Sequence, residues 1–472
     1  MLKPEVYDHS VSKLELIETH ISWVILTGTY AYKIKKPVDF GFLDFSTLQK
    51  RLDCCRQELR LNRRLAPAIY LDVVAITGSY DKPVISTDGA SIEYAVKMKQ
   101  FPQSAQLDNM LHAGELKPHH IDSIAHMTSR FHQSIDVADN SVVYGDAATV
   151  NHPVKENFEQ IKEHMDVSGY AHTLGSLENW SRAEFIKLES LLTQRKAKGY
   201  IRECHGDMHL RNLVWLDEQP MAFDCIEFNP ALRWIDVISE VAFLVMDLQD
   251  RQQQQLANRF LNTYLEDTGD YAGLELLPYY LTYRALVRAK VSALRLEQKT
   301  IPAEEQKQDL AEFESYLDLA TSYIQPSSPR LIIMRGLSAS GKSTVSQQLL
   351  EASGSIRIRS DVERKRLFGI NTDGADPAAN VDNKIDTGIY SKQASAQTYD
   401  KLLELTSQII SAGYSVIIDA AFLQYERRRP FQQLAGTLAV PYIIVEVTAA
   451  ADVLRQRIVN RKHDVSDADL SV

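Results

Sequence analysis

Asp207 and Asn212 stand five residues apart in His205-Gly206-Asp207-Met208-His209-Leu210-Arg211-Asn212, and an isolated acid, Asp224, follows a short apolar hairpin. An aspartate placed beside a hydroxyl can take its proton. An Asn and a second Asp offer hard oxygen ligands to Mg²⁺. A base with two metal ligands is the set that in-line phosphoryl transfer needs. A second stretch, Gly336-Leu337-Ser338-Ala339-Ser340-Gly341-Lys342-Ser343, spells G-x-x-x-x-G-K-S. Its glycines admit backbone N–H groups close to phosphates, Lys342 neutralises them, and Ser343 reaches Mg²⁺. Gly336, Ser338, Ala339, Ser340, Gly341, Lys342, Ser343 and Thr344 are therefore the expected nucleotide-binding residues there. One chain carries two phosphate-handling signatures of unrelated design.

The elements around each signature differ. Ile21–Leu26 and Tyr30–Lys35 flank Thr27-Gly28-Thr29, a hairpin signal. Ser46-Thr47-Leu48-Gln49 reads as a capping box, opening a helix with Leu48, Leu52, Cys55 and Leu59 on one face. Two further strands are expected at 70–77 and 91–99, then a helix from Pro118 to Ile135 and mostly helix over 155–200 and 235–323. The first region thus reads as a small β-rich lobe followed by a large helical lobe. Gln325-Pro326-Ser327-Ser328-Pro329 marks a linker. After it, 331–335, 415–419 and 442–447 read as buried strands separated by helices, which argues a parallel sheet. The expected domains are 1–324, a linker at 325–329, and 330–472.

Composition narrows the partners. The chain has 472 residues and a formal net charge of −10. Residues 330–472 carry 18 Lys+Arg against 16 Asp+Glu, which leaves −12 on residues 1–329. Neither balance suits a nucleic-acid backbone. No apolar run is long enough to span a membrane, and the N-terminus has no apolar signal segment. The four cysteines form no C-x-x-C, which fits a reducing cytoplasm.

The motif His205-Gly206-Asp207-x-His209-x-x-Asn212, with Asp224 beyond it, resembles the aminoglycoside phosphotransferase-like family of small-molecule kinases. The resemblance covers residues 1–324 and implies a bilobal α+β protein-kinase-like fold. It makes Asp207 the catalytic base and Asn212 and Asp224 the Mg²⁺ ligands. It places Lys33 on the α/β-phosphates, Glu58 as its partner, and Asp236 as the brace of the catalytic loop. Lys35, two residues on, shares a strand face with Lys33 and competes for its role. The metal acid is followed by Cys225-Ile226-Glu227, so Glu227 is a candidate addition to the metal shell. His132 reads as a packed core histidine, and His205 and His209 as structural.

The P-loop region resembles the kinases that include polynucleotide 5′-kinases, zeta toxins and chloramphenicol phosphotransferases. By that resemblance Asp361 activates the acceptor hydroxyl and Arg364 holds the acceptor. Asp419, ending Val416-Ile417-Ile418, is the second metal acid, and Arg457 and Arg461 form a lid. Ser360-x-x-Glu363 offers a rival account of this segment, as a capping box. The chain ends in a Ser-Asp-Ala-Asp segment that in those kinases precedes a helix and a last strand, so the domain is expected to be incomplete or to close differently.

These readings imply a bifunctional kinase using ATP or GTP with Mg²⁺ and acting on small-molecule hydroxyl acceptors. The alternatives are a single kinase with a P-loop nucleotide-sensing module, or, less well matched to the charge, a nucleic-acid end kinase.

Overall fold

The computed structural model describes residues 1–41, 43–297, 302–370, 389 and 391–459. Two compact units emerge. The first comprises residues 1–159 and 185–247, the second residues 160–184 and 248–472.

The first unit opens with β1 (Glu15–Glu18), β2 (Ser22–Leu26) and β3 (Tyr30–Lys35), then α1 (Leu48–Asn62), β4 (Tyr70–Ser79), β5 (Lys82–Ile85) and β6 (Glu93–Lys99). They form one antiparallel sheet in the order β1-β2-β3-β6-β4-β5. Gly28 makes the β2–β3 turn at φ 92°, where a Cβ would strike Ser12 Oγ at 2.2 Å. Alternation along β3 turns Tyr32 and Ile34 into a core with Val6, Ile25 and Ile76. Lys33 and Lys35 therefore point the other way, where Glu58 on α1 meets both.

The apolar face expected for α1 is only partly realised. Cys55 is fully buried, Leu48, Leu52 and Leu59 are half-buried, and the buried stripe includes Arg51, Glu58 and Asn62. These sit at 51, 55, 58 and 62, a regular helical spacing. Polar groups with built-in partners have displaced the apolar face. The cap also sits one residue later than expected: Thr47 Oγ1 accepts from the Lys50 N–H.

The chain continues through α2 (Leu107–His112), α3 (Pro118–Ser134), α4 (Ala147–His164) and α5 (Ala171–Ala197). The motif then lies between β7 (Ile201–Glu203) and the hairpin β8 (Leu213–Leu216) and β9 (Gln219–Ala222); β10 (Trp234–Asp236) pairs with β7 and leads into α6 (Val237–Asp250).

The second unit draws in α7 (Gln254–Thr268), α8 (Leu277–Leu296) and α9 (Ala303–Tyr323), which precede the Pro-Ser linker in sequence. Beyond the linker come β11 (Leu331–Arg335), α10 (Lys342–Ser353), β12 (Ile356–Arg359), α11 (Ser360–Leu367), α12 (Lys392–Ser411), β13 (Val416–Asp419), α13 (Tyr425–Thr437), β14 (Tyr442–Glu446) and α14 (Ala451–Val459). The four strands form the expected parallel sheet, in the order β12-β13-β11-β14. Its core includes Met334, Leu350 and Ile417.

Helix α7 is stapled to this sheet by polar side chains. Arg259 reaches Glu351 at 2.6 Å, and Asn262 donates to Ser355 O at 3.1 Å. Asn262 Oδ1 accepts the Arg357 N–H at 2.7 Å. Glu266 binds Arg357 at 3.2 Å and Arg359 at 3.0 Å. The packing unit thus begins well before residue 325. No helix among the described residues is long and apolar enough to cross a membrane.

Candidate active sites

In the first unit, the residues named by the motif come together. Asn212 closes a short 3₁₀ turn, and its Nδ2 donates to Asp207 Oδ2 at 2.9 Å and to Asp207 O at 3.0 Å. That spends the amide nitrogen on the base and leaves Oδ1 as the group able to face a cation. The Asp224 carboxylate is 47% exposed, the Asp207 carboxylate 34%. Both remain open to a ligand, and an Asn and an Asp oxygen suit Mg²⁺ in character.

Lys33 Nζ lies 2.5 Å from Asp224 Oδ1 and 2.8 Å from Glu58 Oε1. Lys35 Nζ is sealed away and pairs with Glu58 Oε2 and Glu227 Oε1. The two lysines share a strand face as expected, but only Lys33 reaches Asp224. Burial opposes charge on both ammoniums, and the surrounding carboxylates outweigh it, so both stay protonated well above neutrality. Burial likewise pushes the Glu58 carboxyl up, but Lys33 and Lys35 overcome it and hold the group down at about 2. Glu227 shows the opposite balance: burial keeps its carboxyl above the usual range despite Lys35. Its carboxylate is committed to Lys35, so the expected metal-shell role gives way to a buried ion pair.

The loop is held by acids that sequence reading did not select. Glu240 Oε1 accepts the Gly206 N–H at 2.6 Å, and Glu240 Oε2 pairs with His132 Nε2 at 2.8 Å. Asp247 Oδ2 accepts the Leu210 N–H at 2.9 Å. Asp236, the expected brace, instead forms a two-point pair with Arg195 and caps the Ile238 N–H. It lies too early to meet the loop, whereas positions 240 and 247 repeat along the inner face of α6. His205 Nδ1 accepts the Asp207 N–H at 3.3 Å, which leaves Nε2 to donate to Phe223 O at 2.9 Å. His205 thereby straps the loop to the backbone just before Asp224. Burial lowers its pKa and favours this neutral form. His132 is buried, as expected of a core histidine.

In the second unit, β11 runs into the phosphate loop and α10 starts at Lys342. Gly336 has φ 154°, and a Cβ there would meet Val447 O at 2.3 Å; Gly341 has φ 102°. The helix N-terminus adds orphan N–H groups and a positive dipole end, an anion site built from backbone. Lys342 Nζ donates to Gly336 O at 3.1 Å and Leu337 O at 2.8 Å. Register brings Met334, Asp419 and Arg359 level, so the loop, Asp419 and α11 gather at the carboxyl ends of the strands. That edge is where open α/β sheets bind ligands.

Asp419 is buried and its Oδ2 accepts from Ser346 Oγ at 3.2 Å. Asp361 sits in the first turn of α11, and its Oδ1 lies 3.0 Å from Arg364 Nη1. Arg359, not Ser360, occupies the cap of α11, with no side-chain cap bond, so the capping-box account of this segment is not realised. Glu363 turns instead to Arg366 and, at 3.3 Å, to Tyr271. Arg457 Nη1 donates to Ala339 O at 3.3 Å and Ser340 O at 3.4 Å, directly over the phosphate loop. Arg461 and the C-terminal Ser-Asp-Ala-Asp segment lie outside the described residues.

Residues 331–472 match the AAA domain family. Over nearly the whole chain, uncharacterized proteins of Mycobacterium tuberculosis (strain H37Rv) and Mycobacterium bovis are 29% identical across 459 residues, covering 97% of this chain and 88% of theirs. Among solved structures, a choline kinase from Cryptosporidium parvum is similar at 13% identity and a TM-score of 0.42, covering 66% of this chain and 90% of that one. An amicoumacin kinase is similar at 14% identity and a TM-score of 0.41, covering 67% and 89%. A Plasmodium vivax ethanolamine kinase is similar at 11% identity and a TM-score of 0.41, covering 68% and 85%.

Proposed function

We propose that the chain is a bifunctional phosphotransferase. Each site would move the γ-phosphoryl group of ATP or GTP to a hydroxyl of a small-molecule acceptor. The observation that carries the first half is the joint placement of Asp207 with Asn212 and of Lys33 with Glu58 and Asp224. Asp207 accepts the hydroxyl proton as the oxygen attacks phosphorus. Asn212 fixes the Asp207 carboxylate through its amide and offers Oδ1, with Asp224, to Mg²⁺. Bound Mg²⁺ supplies charge neutralisation across the phosphates. Lys33, held by Glu58, reaches the α/β-phosphates.

In the second site the P-loop backbone and Lys342 hold the phosphates, and Ser343 and Asp419 are the metal-side residues. Asp361 takes the acceptor proton and Arg364 orients the acceptor. Arg457 stands over the loop where charge develops on the transferring group.

The test is a mass-spectrometric screen for metabolites that gain a phosphoryl group with ATP and Mg²⁺. Products lost in Asp207→Ala belong to the first site and products lost in Lys342→Ala to the second. A wild-type protein that binds nucleotide at both sites and phosphorylates no small molecule contradicts the proposal.

A further inference from the structure

We propose that Tyr70 and Asn62 are positioning residues that clasp the backbone around Asp224 and hold this acid where a metal ion needs it. The inference rests on the assignment of Asp224 to the metal site. Asp224 has φ 62°, in the left-handed region. A residue with a Cβ is disfavoured there and stays only where its surroundings over-determine it.

The surroundings do so at successive peptide groups. The Asp224 N–H donates to Tyr70 Oη at 3.1 Å, and the Cys225 N–H donates to Asn62 Oδ1 at 2.9 Å. Asn62 is itself anchored, donating from Nδ2 to Glu58 O at 2.8 Å. Tyr70, Asn62 and Cys225 are each 1% exposed, so water cannot replace either acceptor. Two residues on, Glu227 is tied to Lys35. The segment 224–227 is thus fixed from α1, β3 and β4, all in the small lobe. Asn62 stands one turn beyond Glu58 on α1. A single helix therefore places both the partner of Lys33 and the backbone of the metal acid.

The arrangement calls for a readout that follows the metal, not only turnover. The probe is Mn²⁺, followed by electron paramagnetic resonance with AMP-PNP. The protein is the full chain carrying Lys342→Ala, so that the P-loop site contributes little. Tyr70→Phe removes the acceptor and keeps the ring; Asn62→Ala removes the second acceptor. Each variant is expected to weaken Mn²⁺ binding at least about fivefold while metal-free AMP-PNP affinity stays within about twofold. Amide hydrogen exchange at 224 and 225 is expected to quicken. Should Tyr70→Phe fail to fold, Asn62→Ala carries the test.

Unchanged Mn²⁺ affinity in folded Tyr70→Phe or Asn62→Ala overturns the clasp. An Asp224→Ala control separates the two levels. Loss of Mn²⁺ binding there sustains the metal-site assignment whatever the clasp variants do. Full Mn²⁺ binding there removes that assignment, and the clasp's role with it.

Discussion

The ammonium of Lys33 lies 2.5 Å from Oδ1 of Asp224, joining a lysine of β3 to an acid 191 residues away. We propose the first for phosphate and the second for a metal; in this structure the two groups form an ion pair and neutralise each other. Glu58 Oε1 holds Lys33 from its other side at 2.8 Å.

The two lysines are expected to separate activity from stability. Lys33→Met should remove most turnover at the first site and cost modest stability, because Lys35 still pairs with Glu58. Lys35→Met leaves Glu227 with no ammonium partner and should destabilise the fold by about 3–5 kcal/mol, the usual result of breaking a buried ion pair from one side. Thermal melts and transfer assays on both variants check this. Equal stability loss in the two would contradict the division of roles.

Two buried groups of the first unit with lowered pKa values set a pH dependence of stability. His205 is depressed in the fold, mainly by burial, from an ordinary value of 6.5. Its contribution is full above that value and is lost as pH falls below it. Burial pushes the Glu240 carboxyl up, but the His132 hydrogen bond and charge outweigh it and hold the group below the ordinary 4.5. Its contribution is lost as pH falls below 4.5. Stability should therefore decline from about pH 6.5 downward and more steeply below about 4.5. Glu240→Gln, which keeps an acceptor for the Gly206 N–H, should flatten the lower limb of a Tm-against-pH curve.

Much of the first site was legible because its parts are contiguous. His205 to Asn212 carries the proposed base, the spacing and one proposed metal ligand in eight residues. Lys33 could not be separated from Lys35, because strand alternation sends both to one face and only three-dimensional placement shows which meets Asp224. Tyr70 and Asn62 gave no signal, since they act on backbone groups far along the chain. The α1 periodicity misled for a related reason: its inner stripe is partly polar, and apolar spacing does not report buried ion pairs. Strands β1 and β5 went unread because β1 is wholly exposed and β5 is a short edge strand bearing Pro83. In the second site the P-loop was legible for the same reason as the first motif, and the staples from α7 were hidden by the linker that separates them in sequence.

Those staples have a consequence for stability. Asn262 is buried, with partners on Ser355 and Arg357. Asn262→Ala leaves both backbone groups unpaired and should cost about 1–3 kcal/mol. Fragments beginning at 330 should melt well below fragments beginning at 248. Equal melting temperatures would show that α7 contributes nothing to the P-loop fold.

Arg457, exposed on α14, contacts carbonyls of the phosphate loop. An arginine whose charge matters as the phosphoryl group transfers affects turnover more than ground-state affinity. Arg457→Ala is expected to leave nucleotide affinity within about tenfold and to cut second-site turnover at least about tenfold. Isothermal titration alongside a transfer assay decides it; a variant with normal turnover contradicts the lid role.

The most direct test of two separate phosphotransferase sites follows acceptor-dependent transfer of the γ-phosphoryl group of labelled ATP in wild type, Asp207→Ala, Lys342→Ala and the double variant. Asp207→Ala should lower one transfer activity by about 10²–10⁴, the usual worth of a positioned base, while the other persists. Lys342→Ala should do the reverse, and the double variant should have neither. Asp207→Ala retaining every wild-type transfer product at full rate would contradict the two-site proposal.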